Sequence, residues 1–301
     1  MNTYRMQTVL EDPIKSEEFK LLNKIMTKRF GRKWFTKEDD ELKIVIECKS
    51  LIKNENTKLD SYEKKVFSQF GEDGITEYIF DKIGTDSKYY VEIGTQDGNE
   101  CNTRFLLEEK GWTGIMLDAI APSNPSINLH NHFITRHNIE EVWDLYNIPR
   151  DFDYFSIDTD GVDWHLLRRV LNHCNFRAFV CEYNACLGSH VDQVLDYSEG
   201  FDDFELCKQW NNGEYNIFYG ASLIAYQNLA KEYGFSLVYA NGVNAFFVND
   251  KYWTNEEDFP DTNNTEALFK DFPLDYRYVY EHPTHNTDNF NTSKLLLKLP
   301  L

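Results

Sequence analysis

The chain has 301 residues, with 31 basic and 50 acidic side chains and a formal net charge of −19. Its apolar fraction of 42% and aromatic fraction of 15%, including 22 Phe and 18 Tyr, supply a sizeable core and exclude a wholly disordered chain. The charge excludes nucleic acid as the expected partner, because neutralising phosphates takes a basic surface. Lys28-Arg29 and Arg32-Lys33 form a local cationic cluster, read as a solvated helix end. No apolar run approaches the roughly 20 residues that a membrane span requires. The first residues lack the apolar centre of a signal peptide, and the six cysteines are scattered with no C-x-x-C. A reducing, cytoplasmic setting is expected.

Residues 1–61 read as a helical N-terminal extension or cap, with helix-like apolar spacing over Glu17–Met26 and Asp39–Ile52. From 62 to 250 short apolar runs alternate with helical stretches. Strands are predicted at Tyr89–Ile93, Gly114–Leu117, Phe133–His137, Asp153–Ile157, Arg177–Tyr183, Phe235–Ala240 and Ala245–Asn249. Helices are predicted at Glu72–Ile83, Cys101–Lys110, Glu140–Tyr146, Val162–Cys174 and Ala221–Tyr233. Strands separated by such helices predict an α/β domain with a doubly wound, mostly parallel seven-stranded sheet. The last two strands are joined only by Asn241-Gly242-Val243-Asn244, too short for a parallel crossover. They must form an antiparallel hairpin. Residues 251–301 read as a C-terminal tail packing on the domain, its final SKLLLKLPL docking as a short helix or strand.

Ligands of such a sheet sit at the carboxyl ends of the strands. After the first strand stands Glu92-Ile93-Gly94-Thr95-Gln96-Asp97-Gly98. Its glycines allow a tight turn and close approach of a ligand. Its acids disfavour a pyrophosphate and suit a ligand with a cationic or hydroxyl-rich portion. The third glycine of a dinucleotide fingerprint is missing, which counts against a nicotinamide-dependent oxidoreductase. The second strand ends in Asp118, an acid placed to accept from a ribose diol. Asp158, Asp160 and Asp163 crowd the end of the fourth strand, and Glu182 and Asn184 follow the fifth. Asp158, Glu182 and Asn184 form an oxygen set suited to a hard divalent ion such as Mg²⁺ or Mn²⁺. The alternative for Asp160 and Asp163 is capping of the next helix. His165 and His190 are candidate general bases, against the commoner reading of a lone histidine as structural or surface.

These residues resemble a class I S-adenosylmethionine-dependent methyltransferase. More narrowly, several runs in order resemble the FkbM-like branch. They are Ser68–Gly74, Asn102-Thr103, Gly111–Gly114, Ser156–Gly161, Glu182–Asn184, Tyr219–Ser222 and Gly242–Phe247. The resemblance implies that Glu92, Gly94, Thr95, Asp97 and Gly98 hold the methionine part of the cofactor. It implies that Asp118 holds the ribose and that Ala119 and Asn138 border the adenine, with Gln69 and Glu72 lining the cleft. It also implies O-methylation of a sugar or glycan hydroxyl by in-line displacement, with Asp158, Asp160, His165 or His190 taking the proton. The expected partner is a small-molecule or glycan acceptor, and self-association as a homo-oligomer stays open. The rival from another class is a methyltransferase-like fold that has lost catalysis and serves as a binding module.

Overall fold

The computed structural model describes residues 57–123, 127–159, 161–194 and 220–270, and the backbones of five strands outside them. In chain order the strands are β1 (Met6–Gln7), β2 (Leu42–Cys48), β3 (Tyr89–Ile93), β4 (Thr113–Asp118), β5 (Leu129–Asn131), β6 (Tyr154–Ile157), β7 (Ala178–Glu182), β8 (Glu214–Asn216), β9 (Phe235–Ala240), β10 (Asn244–Asn249), β11 (Tyr276–His282) and β12 (Lys294–Lys298). The α-helices are α1 (Glu72–Ile83), α2 (Arg104–Lys110), α3 (Ile139–Leu145), α4 (Asp163–His173), α5 (Leu223–Glu232) and α6 (Thr265–Leu268). The predicted helix at Glu17–Met26, the basic cluster near Arg29 and Asp160 lie outside the described residues.

Seven strands form one sheet in the order β5-β4-β3-β6-β7-β10-β9. All its neighbours are parallel except β10, which runs antiparallel to both β7 and β9. This is the doubly wound, mostly parallel seven-stranded arrangement expected from the sequence, and the hairpin read from the four-residue connection is present. Winding reverses beside β3: the chain goes out through β4 and β5, then returns to β6. That reversal opens a crevice at the carboxyl ends of β3 and β6.

Period-two alternation sorts the strand side chains between two cores. Val91, Ile93, Ile115, Leu117, Phe155, Ile157, Phe179 and Cys181 share a cluster with residues of α3, α4 and α5. Tyr90, Met116, Tyr154, Ala178 and Val180 share the other with α1 and α2. Both faces are covered, which is why these strands are nearly all apolar. Phe179 and Phe247 stack across the β7–β10 pair with ring centroids 4.5 Å apart. Leu59, Phe259 and Leu268 are also buried in these cores, so the packed unit extends beyond 62–250 at both ends.

Two predicted elements are corrected. The expected helix over Asp39–Ile52 contains the strand β2, paired over seven positions with β11. Ile44-Val45-Ile46 is a β-branched run, and β-branched residues favour strand over helix. The expected strand Phe133–His137 is a turn, and β5 pairs with Met116–Asp118 instead. Here side chains captured the backbone: Thr135 N–H donates to Asn138 Oδ1 at 2.7 Å, and Asn138 Nδ2 donates to the Phe133 carbonyl at 2.9 Å. Such local bonds compete with a ladder.

A second, five-stranded antiparallel sheet has the order β1-β2-β11-β12-β8. It draws strands from before, within and after the seven-stranded unit. The final apolar run contributes β12 to it.

Asp153 fixes the start of β6. Its carboxylate accepts from Asp86 N–H at 3.0 and 2.9 Å, Lys88 N–H at 2.7 Å and Arg177 Nε at 2.9 Å. Its side chain is 1% exposed and that of Arg177 19%. Asp153→Ala leaves a guanidinium and two amides without their acceptor, and is expected to cost about 3–5 kcal/mol of unfolding free energy. Urea denaturation at pH 7 measures it; a loss under about 1 kcal/mol, the scale of a surface pair, contradicts the assignment.

Candidate functional site

The crevice is built around Glu92, near the carboxyl end of β3. The side chain is 2% exposed. Oε1 accepts from Asn102 N–H at 2.8 Å and from the Ser156 hydroxyl at 3.1 Å. Oε2 accepts from Thr103 N–H at 3.0 Å and, at very short range, from the Thr103 hydroxyl. One carboxylate thus staples the far end of the loop to β3 and β6. Burial raises the Glu92 pKa, and the hydrogen bonds to Thr103, Asn102 and Ser156 oppose the shift. Glu92 shapes the loop from below, with both oxygens turned to the protein.

Gly94 carries the tight turn. Its φ is +82°, and a Cβ there would lie 1.5 Å from the Asp158 carbonyl oxygen. Its N–H donates to the Leu117 carbonyl at 2.9 Å, and Asp158 N–H donates to the Ile93 carbonyl at 2.9 Å. The ends of β4, β3 and β6 are thereby locked in contact. Thr95 is 1% exposed, and its hydroxyl has no hydrogen-bond partner among the described residues. Gln96 holds a positive φ of +51°, an unusual conformation for this residue type. Asp97 accepts from Asn99 N–H at 3.1 Å and Asn99 Nδ2 at 2.7 Å, and Gly98 N–H closes the turn onto the Thr95 carbonyl at 2.9 Å.

Asp118, half-buried at the end of β4, reaches this loop directly. Oδ2 accepts from Gln96 N–H at 2.7 Å and Oδ1 from Ile120 N–H at 2.7 Å. Burial raises its pKa, with those N–H bonds opposing. Each carboxylate oxygen keeps a further lone pair, so the pair of oxygens still has acceptor capacity for a diol. Ala119 is exposed beside it, and its carbonyl accepts from Asn131 Nδ2 at 2.6 Å.

The other cofactor candidates have different surroundings. Both side-chain ends of Asn138 are spent on its own turn. Gln69 is exposed. Glu72 is fully buried at the start of α1 and accepts from Phe70 N–H at 2.7 Å, Asn241 Nδ2 at 2.6 Å and Asn244 Nδ2 at 2.9 Å. It ties α1 to the β9–β10 turn.

Across the crevice Ile157 pairs with Cys181, so Asp158 and Glu182 follow at one level on adjacent strands, and Glu182 pairs with Asn244. Asn184 is 1% exposed, its N–H donating to the Ala221 carbonyl at 2.8 Å. Asp163 does not join them. It is 1% exposed and accepts from Thr159 N–H at 2.6 Å and Gly161 N–H at 2.9 Å, so it braces the turn entering α4. Among the described residues no group of three or more His, Cys, Asp and Glu side chains could hold a metal ion. The proposed set of Asp158, Glu182 and Asn184 offers two carboxylates and an amide, and no divalent ion is assigned to it. His165 sits in the first turn of α4, edge-on to the Trp164 ring at 5.1 Å between centroids, and His190 is exposed.

Two groups of residues escaped sequence reasoning. Asp73, fully buried, accepts at one oxygen from Val66, Phe67 and Ser68 N–H at 2.7, 2.7 and 2.9 Å. Tyr226 on α5 is fully buried, with no hydrogen-bond partner for its hydroxyl among the described residues. Burial raises its pKa, and the charges of Asp163, Glu182 and Asp158 push the same way. An acid in the first turn of α1 signals the first; nothing in the local sequence signals the second.

No family model matches this sequence, and no curated protein matches it. Among solved structures it is similar to a selenomethionine-substituted CurJ carbon methyltransferase, at 11% identity and a TM-score of 0.29. The match covers 58% of this chain and 52% of that one, so the chain spans about half the length of that structure.

Glu92→Gln puts an amide NH₂ among four donors and is expected to cost about 1–3 kcal/mol at pH 7, the price of an unsatisfied buried hydrogen-bonding group. The raised folded pKa makes the native state hold its proton to higher pH than the unfolded chain. The Glu92 contribution is therefore greatest at acid pH and falls as pH rises from the usual Glu range through the folded value. Urea titrations of both proteins from pH 4 to 8 test this; a wild-type advantage that grows with pH contradicts it.

Proposed function

We propose that the chain is an S-adenosylmethionine-dependent methyltransferase. The observation that carries the reading is the joining of the Gly94–Gly98 turn to Asp118 through Gln96 N–H, beside the reversal of strand winding. A turn that admits close backbone approach and a carboxylate that can accept from a diol stand side by side. The partnerless Thr95 hydroxyl supports the same placement. Asp97, Asp118, Asp158 and Glu182 make this edge acidic, which favours a ligand carrying positive charge and disfavours one carrying phosphates.

When bound, S-adenosylmethionine supplies a methyl group activated on a cationic sulfur. The chain's part is to hold and to orient. Asp118 accepts from the ribose hydroxyls, and the turn from Gly94 to Gly98 lies along the methionine portion. Glu92 keeps that turn in shape. Asp158, beside the Gly94 contact, takes the proton of the acceptor hydroxyl. The acceptor, by resemblance to the FkbM-like branch, is a sugar or glycan hydroxyl.

Calorimetric titration with S-adenosylhomocysteine tests the reading. Micromolar binding is expected. Asp118→Ala should weaken it by about 1–3 kcal/mol, the scale of hydrogen bonds to a charged group, with the thermal transition retained. Absence of binding by the wild-type chain overturns the proposal, and equal affinity in the variant removes the ribose role.

A further inference from the structure

Tyr183 stands between Glu182 and Asn184, at the end of β7 and on the acceptor side of the crevice. It is 2% exposed, and distant parts of the chain converge on it. Its N–H donates to the Val243 carbonyl at 2.9 Å, and the next N–H, of Asn184, donates to the Ala221 carbonyl at 2.8 Å. Its hydroxyl donates to the Lys270 carbonyl at 2.7 Å, and the Phe269 ring meets its ring edge-on at 6.1 Å between centroids. Phe269-Lys270 therefore crosses Tyr183 as a strap.

The Lys270 side chain anchors the strap. Its ammonium donates to Asp60 Oδ1 at very short range and to the Tyr239 hydroxyl at 2.7 Å, and stands 3.8 Å from Glu63 Oε1. It also lies over the Tyr239 ring, 4.4 Å from the centroid. The Tyr239 hydroxyl donates to Asp60 Oδ1 at 2.8 Å, with Glu63 Oε1 closer still. Tyr239 is fully buried, and the Lys270 and Asp60 side chains are 20% and 14% exposed. One ammonium thus faces two carboxylates that share a phenol. Removing one partner of so sheltered a set leaves charge unopposed, whereas an exposed pair would matter little. The same cluster roots the second sheet. Asp60 and Glu63 follow β2 in the chain, Lys270 precedes β11, and β2 and β11 pair over seven positions.

We propose that Lys270 is a positioning residue for the methyl transfer. Its ammonium, seated among Asp60, Glu63 and Tyr239, fixes the strap whose carbonyl holds Tyr183, and Tyr183 sets Glu182 and Asn184 on the acceptor side. The role of that side rests on the methyltransferase reading; the mechanical link rests on the contacts alone. Lys270 acts through Tyr183 and not on the reacting atoms. A shift of the β2–β11 pair is carried to the acceptor side through it.

Hydrogen–deuterium exchange of the full chain, read by mass spectrometry, tests the link, with calorimetric titration of S-adenosylhomocysteine on the same samples. Lys270→Met should speed exchange in peptides covering Lys58–Tyr62 and Tyr183–Leu187 by about tenfold, the scale of a lost hydrogen bond, and leave Tyr89–Ile93 at the wild-type rate. Lys270→Arg, which keeps the charge, should restore both. Tyr183→Phe removes only the hydroxyl that reaches the strap and should loosen Tyr183–Leu187 alone; it carries the test if Lys270→Met does not fold. Affinity for S-adenosylhomocysteine should stay at the wild-type value in all three, because the Gly94–Asp118 edge is untouched. Wild-type exchange at Tyr183–Leu187 in both Lys270→Met and Tyr183→Phe overturns the proposal. So does equal acceleration at Tyr89–Ile93, which marks a purely structural role. The localised pattern in a chain that binds no S-adenosylhomocysteine ends the methyltransferase reading and leaves the link standing.

Discussion

A carboxylate sunk beneath the end of β3 is the constraint on which the crevice rests. Glu92 is removed from water, and an ionised group in that position is costly unless its lone pairs are used. Four donors from Asn102, Thr103 and Ser156 use them. The consequence is geometric. The chain after β3 must return to the carboxylate within ten residues, so the turn between Gly94 and Gly98 is pulled tight over the strand ends. Gly94 then meets the Asp158 carbonyl at a distance no side chain tolerates. Asp118 secures the remaining side by holding Gln96 in its positive-φ conformation.

The same device recurs through the molecule. Asp73 gathers three successive amides before α1, Asp163 gathers two before α4, and Glu72 draws the β9–β10 turn to α1. Asp153 does so at the opposite end of the sheet, with Arg177 as its cation. The acidity of this chain is therefore not only a surface property. Part of it is structural, spent on backbone N–H groups where loops enter helices, which is where orphan donors are most numerous. Asp163, among the acids crowded after β6, is spent in this way and faces amides within its own turn.

Most of the seven-stranded unit was legible in the sequence. Continuous apolar runs such as Phe179–Cys181 mark strands covered on both faces, and the four residues between Ala240 and Ala245 admit only a hairpin. The failures have local causes. Thr135 and Asn138 bend a stretch whose composition suits a strand, and the β-branched run in β2 outweighs a helical spacing. For the site, Gly94 and Asp118 could be placed from strand ends alone. The direction in which Glu92 and Glu72 face could not, because one residue's shift along a strand or helix start decides between crevice and core. The hydroxyl of Tyr226 was invisible for another reason: its surroundings come from β6, β7 and α4, far apart in the chain.

Ultraviolet photolabelling with methyl-tritiated S-adenosylmethionine, followed by peptide mapping, addresses the central claim most directly. The account predicts label on the peptides that carry Gly94–Gly98 or Asp118–Ile120, chased by unlabelled S-adenosylhomocysteine. Label confined to other peptides, or indifferent to the competitor, would contradict it.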